Sequence, residues 1–145
     1  MLVDVVLASV HHLLVFTVFG CLFSEWVLLF DQPSSSLVKR IFIVDAVYGL
    51  SALGVLIVGC FRVIWGLKPA QFYTGNFIFW IKMMAFLVVG LLSIPSTLRF
   101  IKWRRSSVIP TSAEISSTQV FVTFELVFFA VIPICAALMA RGYGS

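Results

Sequence analysis

The chain alternates four long apolar runs with short polar breaks. The runs cover residues 5–30, 41–67, 77–101 and 118–140. Each is longer than the ~20 residues that an α-helix needs to cross a hydrocarbon core. None follows the two-residue alternation of a barrel strand. Backbone groups in lipid must satisfy one another, so the pattern predicts four spanning helices. Asp4 precedes the first run where a cleaved signal sequence carries positive charge, and the run is expected to stay as a membrane anchor.

The breaks hold the turn and charge signals. Residues 31–40 (DQPSSSLVKR) form a turn-rich first loop with Lys39 and Arg40. Residues 66–76 carry Lys68, Pro69 and Gly75, and Trp65, Phe72 and Tyr73 beside them suit an interfacial aromatic belt. Residues 102–117 form the longest break, read as a flexible surface loop, and carry Lys102, Arg104 and Arg105. The first and third loops share one face of a four-span protein, with Arg99 at its boundary. By the positive-inside rule that face is cytoplasmic and both termini are periplasmic, in a bacterial inner membrane.

Composition agrees with this pattern. The 145 residues are 61% hydrophobic and 11% charged, whereas a soluble domain is about 45–50% apolar and about 25% charged. The fold class is therefore all-α, an integral membrane four-helix bundle with residues 1–145 as a single domain. The net charge of +4 lies mostly in loops. With no basic, aromatic-interleaved surface, the expected partner is the bilayer and not nucleic acid. Cys21, Cys60 and Cys135 fall in apolar runs without CxxC spacing and read as buried small hydrophobes. No P-loop, GxGxxG or HExxH occurs, and nothing supports a Ser/His/Asp hydrolase. No internal repeat is visible, so two inverted halves could arise only by dimerisation, and a homodimer is expected.

The candidate chemistry lies in polar residues inside the apolar runs. Lys82 is the most conspicuous, because a lysine at a helix centre costs roughly 2.5–3.5 kcal/mol on insertion scales. At about 1.5 Å per residue, Lys82, Arg62, His11 and His12 all fall in the outer half. Glu25, Asp45 and Glu125 fall in the cytoplasmic half. The outer layer is basic and the inner layer acidic. At ~100° per residue, His11 and Glu25 share one stripe and His12 points about 100° away from it. Asp45, Gly49, Ala52 and Gly59 form a small-residue stripe suited to close helix contact. Lys82, Phe86, Val89, Ser93 and Ser96 share a face, with Pro95 expected to kink the helix; Thr118, Glu125 and Ala136 share another. Each helix turns its polar residues to one side, as in a bundle with a polar interior seam.

Several chemistries can use the outer layer. A histidine and a second donor across a gap can hold haem iron, and Arg or Lys can pair with its propionates. On that reading His11 or His12 is an axial ligand, Lys82 a second ligand or propionate partner, and Arg62 a propionate partner. Copper prefers His, Met and Cys together; Met83 and Met84 flank Lys82, but no CxxM or MxxM pattern occurs. The inner seam of Glu25, Asp45 and Glu125 can instead carry protons. In a third reading Glu25 and Asp45 pair with Arg40, Arg99 or Lys102, or Arg62 snorkels, and the polar groups only specify packing.

The paired histidines with Glu25, the stretch DAVYGLSALGVLIVGCFRV (residues 45–63) and NFIFWIKMMAFLVVGLLSIPSTLRFIKW (residues 76–103) bring a family into view. The chain resembles a family of bacterial four-helix membrane proteins of unknown function, through D-x-x-Y-G, F-W-x-K and P-T-x-R-F. More distantly, its layout is similar to that of HemJ-type protoporphyrinogen oxidases and the membrane domain of CopD-type copper proteins. That second resemblance implies a functional His in the first helix, at His11 or His12, and a functional Lys in the third, at Lys82. It also implies haem b and an oxidoreductase. The sequence thus favours a haem-binding inner-membrane protein in electron transfer or a porphyrin-linked redox step, with an unidentified redox partner. The alternative is a small proton-coupled transporter or channel.

Overall fold

A computed structural model describes residues 2–144, so Met1 and Ser145, the two ends of the expected domain, lie outside the described residues. Five helices follow in order: α1 (Leu2–Leu28), α2 (Ser35–Trp65), α3 (Ala70–Thr74), α4 (Phe77–Ser106) and α5 (Ser112–Ala140). The described residues contain no strand. The protein is an all-α membrane bundle, and its four long helices, of 27 to 31 residues, are each apolar enough to span. Large apolar side chains such as Phe16, Leu50, Leu98 and Val127 stand exposed on the outside. In water such a surface would aggregate, but in a bilayer it is the lipid contact.

Local capping explains why three helices start where they do. Ser34 caps α2, its hydroxyl accepting from Leu37 N. Asn76 caps α4 by accepting from Ile78 N. Thr111 and Glu114 form a reciprocal capping box that starts α5. These caps correct two of the expected boundaries. α2 begins at Ser35, not residue 41, and α5 at Ser112, not residue 118. The expected flexible loop 102–117 shrinks to residues 107–111, because α4 runs on to Ser106 and the T-S-A-E sequence winds the next helix. The second break also contains a short helix, α3. α4 stays helical through Pro95 and α5 through Pro133.

α1 packs along α2 and α4 along α5, and the two pairs meet more sparingly through α2–α4 and α1–α5. Close approach in the first pair depends on Gly54 and Gly59. A Cβ on Gly54 would press Leu14 at 3.1 Å, and one on Gly59 would meet the His11 ring at 3.5 Å. Gly49 differs from its expected role: it is exposed, and a Cβ there would meet nothing within 4 Å. Ala52 is packed against the core. Cys135 is buried and Cys21 half-buried, but Cys60 is exposed on the lipid side, which corrects the expectation of three buried thiols.

The bundle has an arginine-rich end, with Lys39, Arg40, Lys102, Arg104 and Arg105, and a terminal end where both chain ends and α3 lie. The terminal end is closed by polar ties. Leu67 N donates to Asp4 Oδ1 at 3.1 Å, linking the loop after α2 to the start of α1. Asn76 Nδ2 donates to the Tyr143 carbonyl at 2.9 Å, pinning the tail against the start of α4. Gly144, at φ +89°, lies so close to Asn76 and Ile78 that a Cβ would collide with both.

Candidate functional site

Helix packing gathers the polar residues into two separate layers. In the acidic layer Glu25 and Glu125 are each 1% exposed and Asp45 is 6% exposed. They come from α1, α5 and α2, and lie near enough for Glu25 to feel the charge of the other two. Their partners are hydroxyls. Tyr48 Oη donates to Glu125 Oε2 at 3.4 Å, and Ser96 Oγ to Glu125 Oε1 at 3.4 Å. Both bonds are long. Thr97 Oγ1 donates to Asp45 Oδ1 at 2.7 Å, a short and strong contact. Glu25 Oε1 is buried and has no hydrogen-bond partner among the described residues.

No cation neutralises this layer among the described residues. The single ion pair found there joins Arg40 to Asp31 at 3.0 Å, with both side chains about half exposed. Arg99 turns away from the carboxylates and donates to Ser117 Oγ and Thr118 Oγ1, each at 3.0 Å. The pairing of Glu25 or Asp45 with Arg40, Arg99 or Lys102 is therefore not what the bundle adopts. A buried charge without a counter-charge is far more costly than a buried hydroxyl. Three such carboxyls in one layer need protons or a cation.

The basic layer is built differently. His11, Arg62 and Lys82 reach inward from α1, α2 and α4 and lie within electrostatic range of one another. Cys135 of α5 lies near Lys82. His11 packs its ring edge on Gly59, with the Val55 backbone within reach. Its Nδ1 and the Arg62 Nε are buried without a partner among the described residues. Lys82 makes no hydrogen bond among the described residues; its Nζ sits 5.4 Å from the Phe79 ring centre, within cation–π range. His12 does not join the layer. It lies on the exposed face of α1, with Nδ1 2.6 Å from the Ala8 carbonyl and its ring edge-on to His11.

Between the layers lies an apolar zone, in which Val18, Val55, Val89 and Phe129 are all buried. The two sets of polar groups are thus insulated from each other along the seam. Among the described residues, no group of three or more His, Cys, Asp or Glu is placed to hold a metal ion.

Sequence reasoning missed several partners in the acidic layer. Tyr48 lies three residues after Asp45, which puts both on one helix face. That spacing was the available signal for it. Thr97, the neighbour of Ser96, is set by the approach of α4 to α2, and no spacing within α4 reveals it. Trp26 Nε1 donates to Thr123 Oγ1 at 3.1 Å across α1 and α5, another contact visible only once the helices are paired.

Compared with known families, residues 3–144 match one described as "Predicted membrane protein (DUF2214)". No curated protein and no solved structure matches the chain.

Proposed function

The chain belongs to the predicted membrane protein family DUF2214, and we propose that it is a small proton-coupled transporter or channel. The supporting observation is the acidic layer. Glu25, Asp45 and Glu125 are buried in a spanning bundle, bonded to hydroxyls where they are bonded at all, and without a cation among the described residues. Carboxyls in that setting hold and pass protons, and intramembrane acids commonly mark proton relays. Tyr48 and Ser96 can hand protons to and from Glu125 because a hydroxyl both donates and accepts. The positive-inside rule sets the arginine-rich end in the cytoplasm of a bacterial inner membrane, with both termini periplasmic.

The test is proton flux into proteoliposomes, followed with an internal pH dye. Wild-type protein gives flux, and Glu125→Gln, which can accept from one hydroxyl and donate to the other but cannot ionise, abolishes it. If the vesicles stay proton-tight with wild-type protein, the proton-coupled reading fails; if Glu125→Gln conducts equally, Glu125 is not the group that carries the proton.

A second reading is favoured by the basic layer. A histidine with one ring nitrogen near a backbone carbonyl and the other buried and unpartnered has the arrangement of a metal ligand. His11 has a buried, unpartnered Nδ1 with the Val55 backbone within reach and Arg62 and Lys82 in electrostatic range, a donor set that suits haem b. His11 would hold the iron, Lys82 would be a second ligand or propionate partner, and Arg62 would pair with a propionate. His12 points away and would take no part. Haem bound there would supply one-electron transfer. Haem titration of purified protein distinguishes this reading: a Soret band should appear and should shift in His11→Ala but not in His12→Ala.

A further inference from the structure

A cleft of 540 Å³ opens between α2 and α4, where the two helix pairs meet sparingly. Its size lies in the usual range for small-molecule sites, about 300–1,000 Å³. Asp45, Tyr48, Ser93 and Thr97 supply its polar lining, and Phe42 and Phe86 are among its apolar walls. Gly49 and Gly90 face it from opposite helices, and both are exposed. In a spanning bundle an exposed position faces lipid, so the cleft opens sideways into the bilayer.

The two glycines have no role in packing within the chain. A Cβ on either would meet nothing within 4 Å, whereas Cβ atoms on Gly54 and Gly59 would meet Leu14 and His11. Glycine carries no side chain, so at these two positions it leaves the mouth of the cleft open. The charge lining is one-sided. Asp45 is the one charged residue among the described residues that line the cleft, beside the hydroxyls of Tyr48, Ser93 and Thr97, and Glu25 of α1 and Glu125 of α5 lie behind it within electrostatic range. All are acids or hydroxyls. A phosphate or carboxylate would be repelled there, and a hydrated metal ion would find apolar walls and too few ligands.

We propose that the cleft between α2 and α4 binds a lipophilic cation from the bilayer, an alkyl- or aryl-substituted ammonium or phosphonium, held at the Asp45 carboxylate. The apolar body lies against Phe42 and Phe86, and the positive centre takes the place of a proton on Asp45. The proton leaves to solution, so charge balances at each exchange. This rests on the proton-coupled reading for its mechanism and names the substrate class of that transporter. The binding site itself stands on the cleft.

The test is equilibrium dialysis of tetraphenylphosphonium against detergent-solubilised full-length protein, with neutral triphenylphosphine oxide as control. Saturable binding of the cation alone is expected, with proton release into weak buffer. Asp45→Asn should weaken it by about tenfold or more, as loss of a buried ionic contact does. Gly49→Leu should also weaken it, by filling the cleft; helicity and a monodisperse profile confirm that this variant is folded. Binding that is not saturable, or equal in wild type, Asp45→Asn and Gly49→Leu, overturns the proposal. So does a dimer that Gly49→Leu dissociates while cation binding is unchanged, because the face would then receive a second copy. Glu125-dependent proton flux without cation binding removes the cleft proposal and leaves the proton reading. Saturable, Asp45-dependent binding without flux or proton release does the reverse.

Discussion

At the arginine-rich end Leu22, Leu37, Ile41, Phe100 and Val122 are fully buried, and the adjoining acidic layer receives hydrogen bonds from α2 and α4. At the terminal end the buried apolar cluster is Ile78, Cys135 and Met139, and the basic layer leaves His11 Nδ1 and Arg62 Nε unpartnered. That end is held instead by peripheral ties, Asp4 to Leu67 and Asn76 to Tyr143. One layer is wired inside a tight framework; the other is gathered inside a looser one. Buried donors without partners are uncommon. The contrast shows where each layer finds its chemistry. The acidic layer has its hydroxyls in place, and the basic layer keeps a buried imidazole nitrogen and a buried guanidinium nitrogen unpartnered among the described residues.

This contrast can be broken most sharply at Glu25, the unwired member of the wired layer. Glu25→Leu removes a buried oxygen without a partner, and should stabilise the bundle by about 1–3 kcal/mol. Denaturant unfolding in detergent measures it; a loss of stability would show that Glu25 has a partner of its own. Asn76→Ala should cost about 1–2 kcal/mol, because it removes the α4 cap and frees the tail, and proteolysis at the tail should accelerate. Tyr48→Phe takes one donor from Glu125 and should cost about 1 kcal/mol. An unchanged stability would mean that this 3.4 Å contact contributes little. Trp26→Phe removes a single interhelical bond between α1 and α5, with an expected loss of ~0.6 kcal/mol, typical for such bonds in membranes.

Much of this architecture is legible in the sequence because lipid imposes so simple a rule. Four apolar runs must be helices, and a charge within them must face protein or water, so membership of the two layers follows from depth along each helix. The angular argument also separates His12 from His11. The sequence does not show how far one helix slides past its neighbour. Thr97 reaches Asp45 and Trp26 reaches Thr123 because of that offset, and no single-helix periodicity contains it. The openness of Gly49 and Gly90 is hidden for the same reason. In sequence they look like Gly54 and Gly59, and only the unequal spacing of the helix pairs tells them apart. The capping box at Thr111 and Glu114 is a different case. Its signature is local and readable, but Ser and Pro content suggested a loop there.

The central claim is that the acidic layer holds exchangeable protons, and infrared difference spectroscopy of the reconstituted protein tests it most directly. A step from acidic to alkaline buffer should bleach a protonated-carboxyl band that shifts in heavy water. That band should shrink in Glu125→Gln and again when Glu25→Gln is added. A spectrum without a pH-sensitive carboxyl band, or one that both substitutions leave intact, would contradict the account.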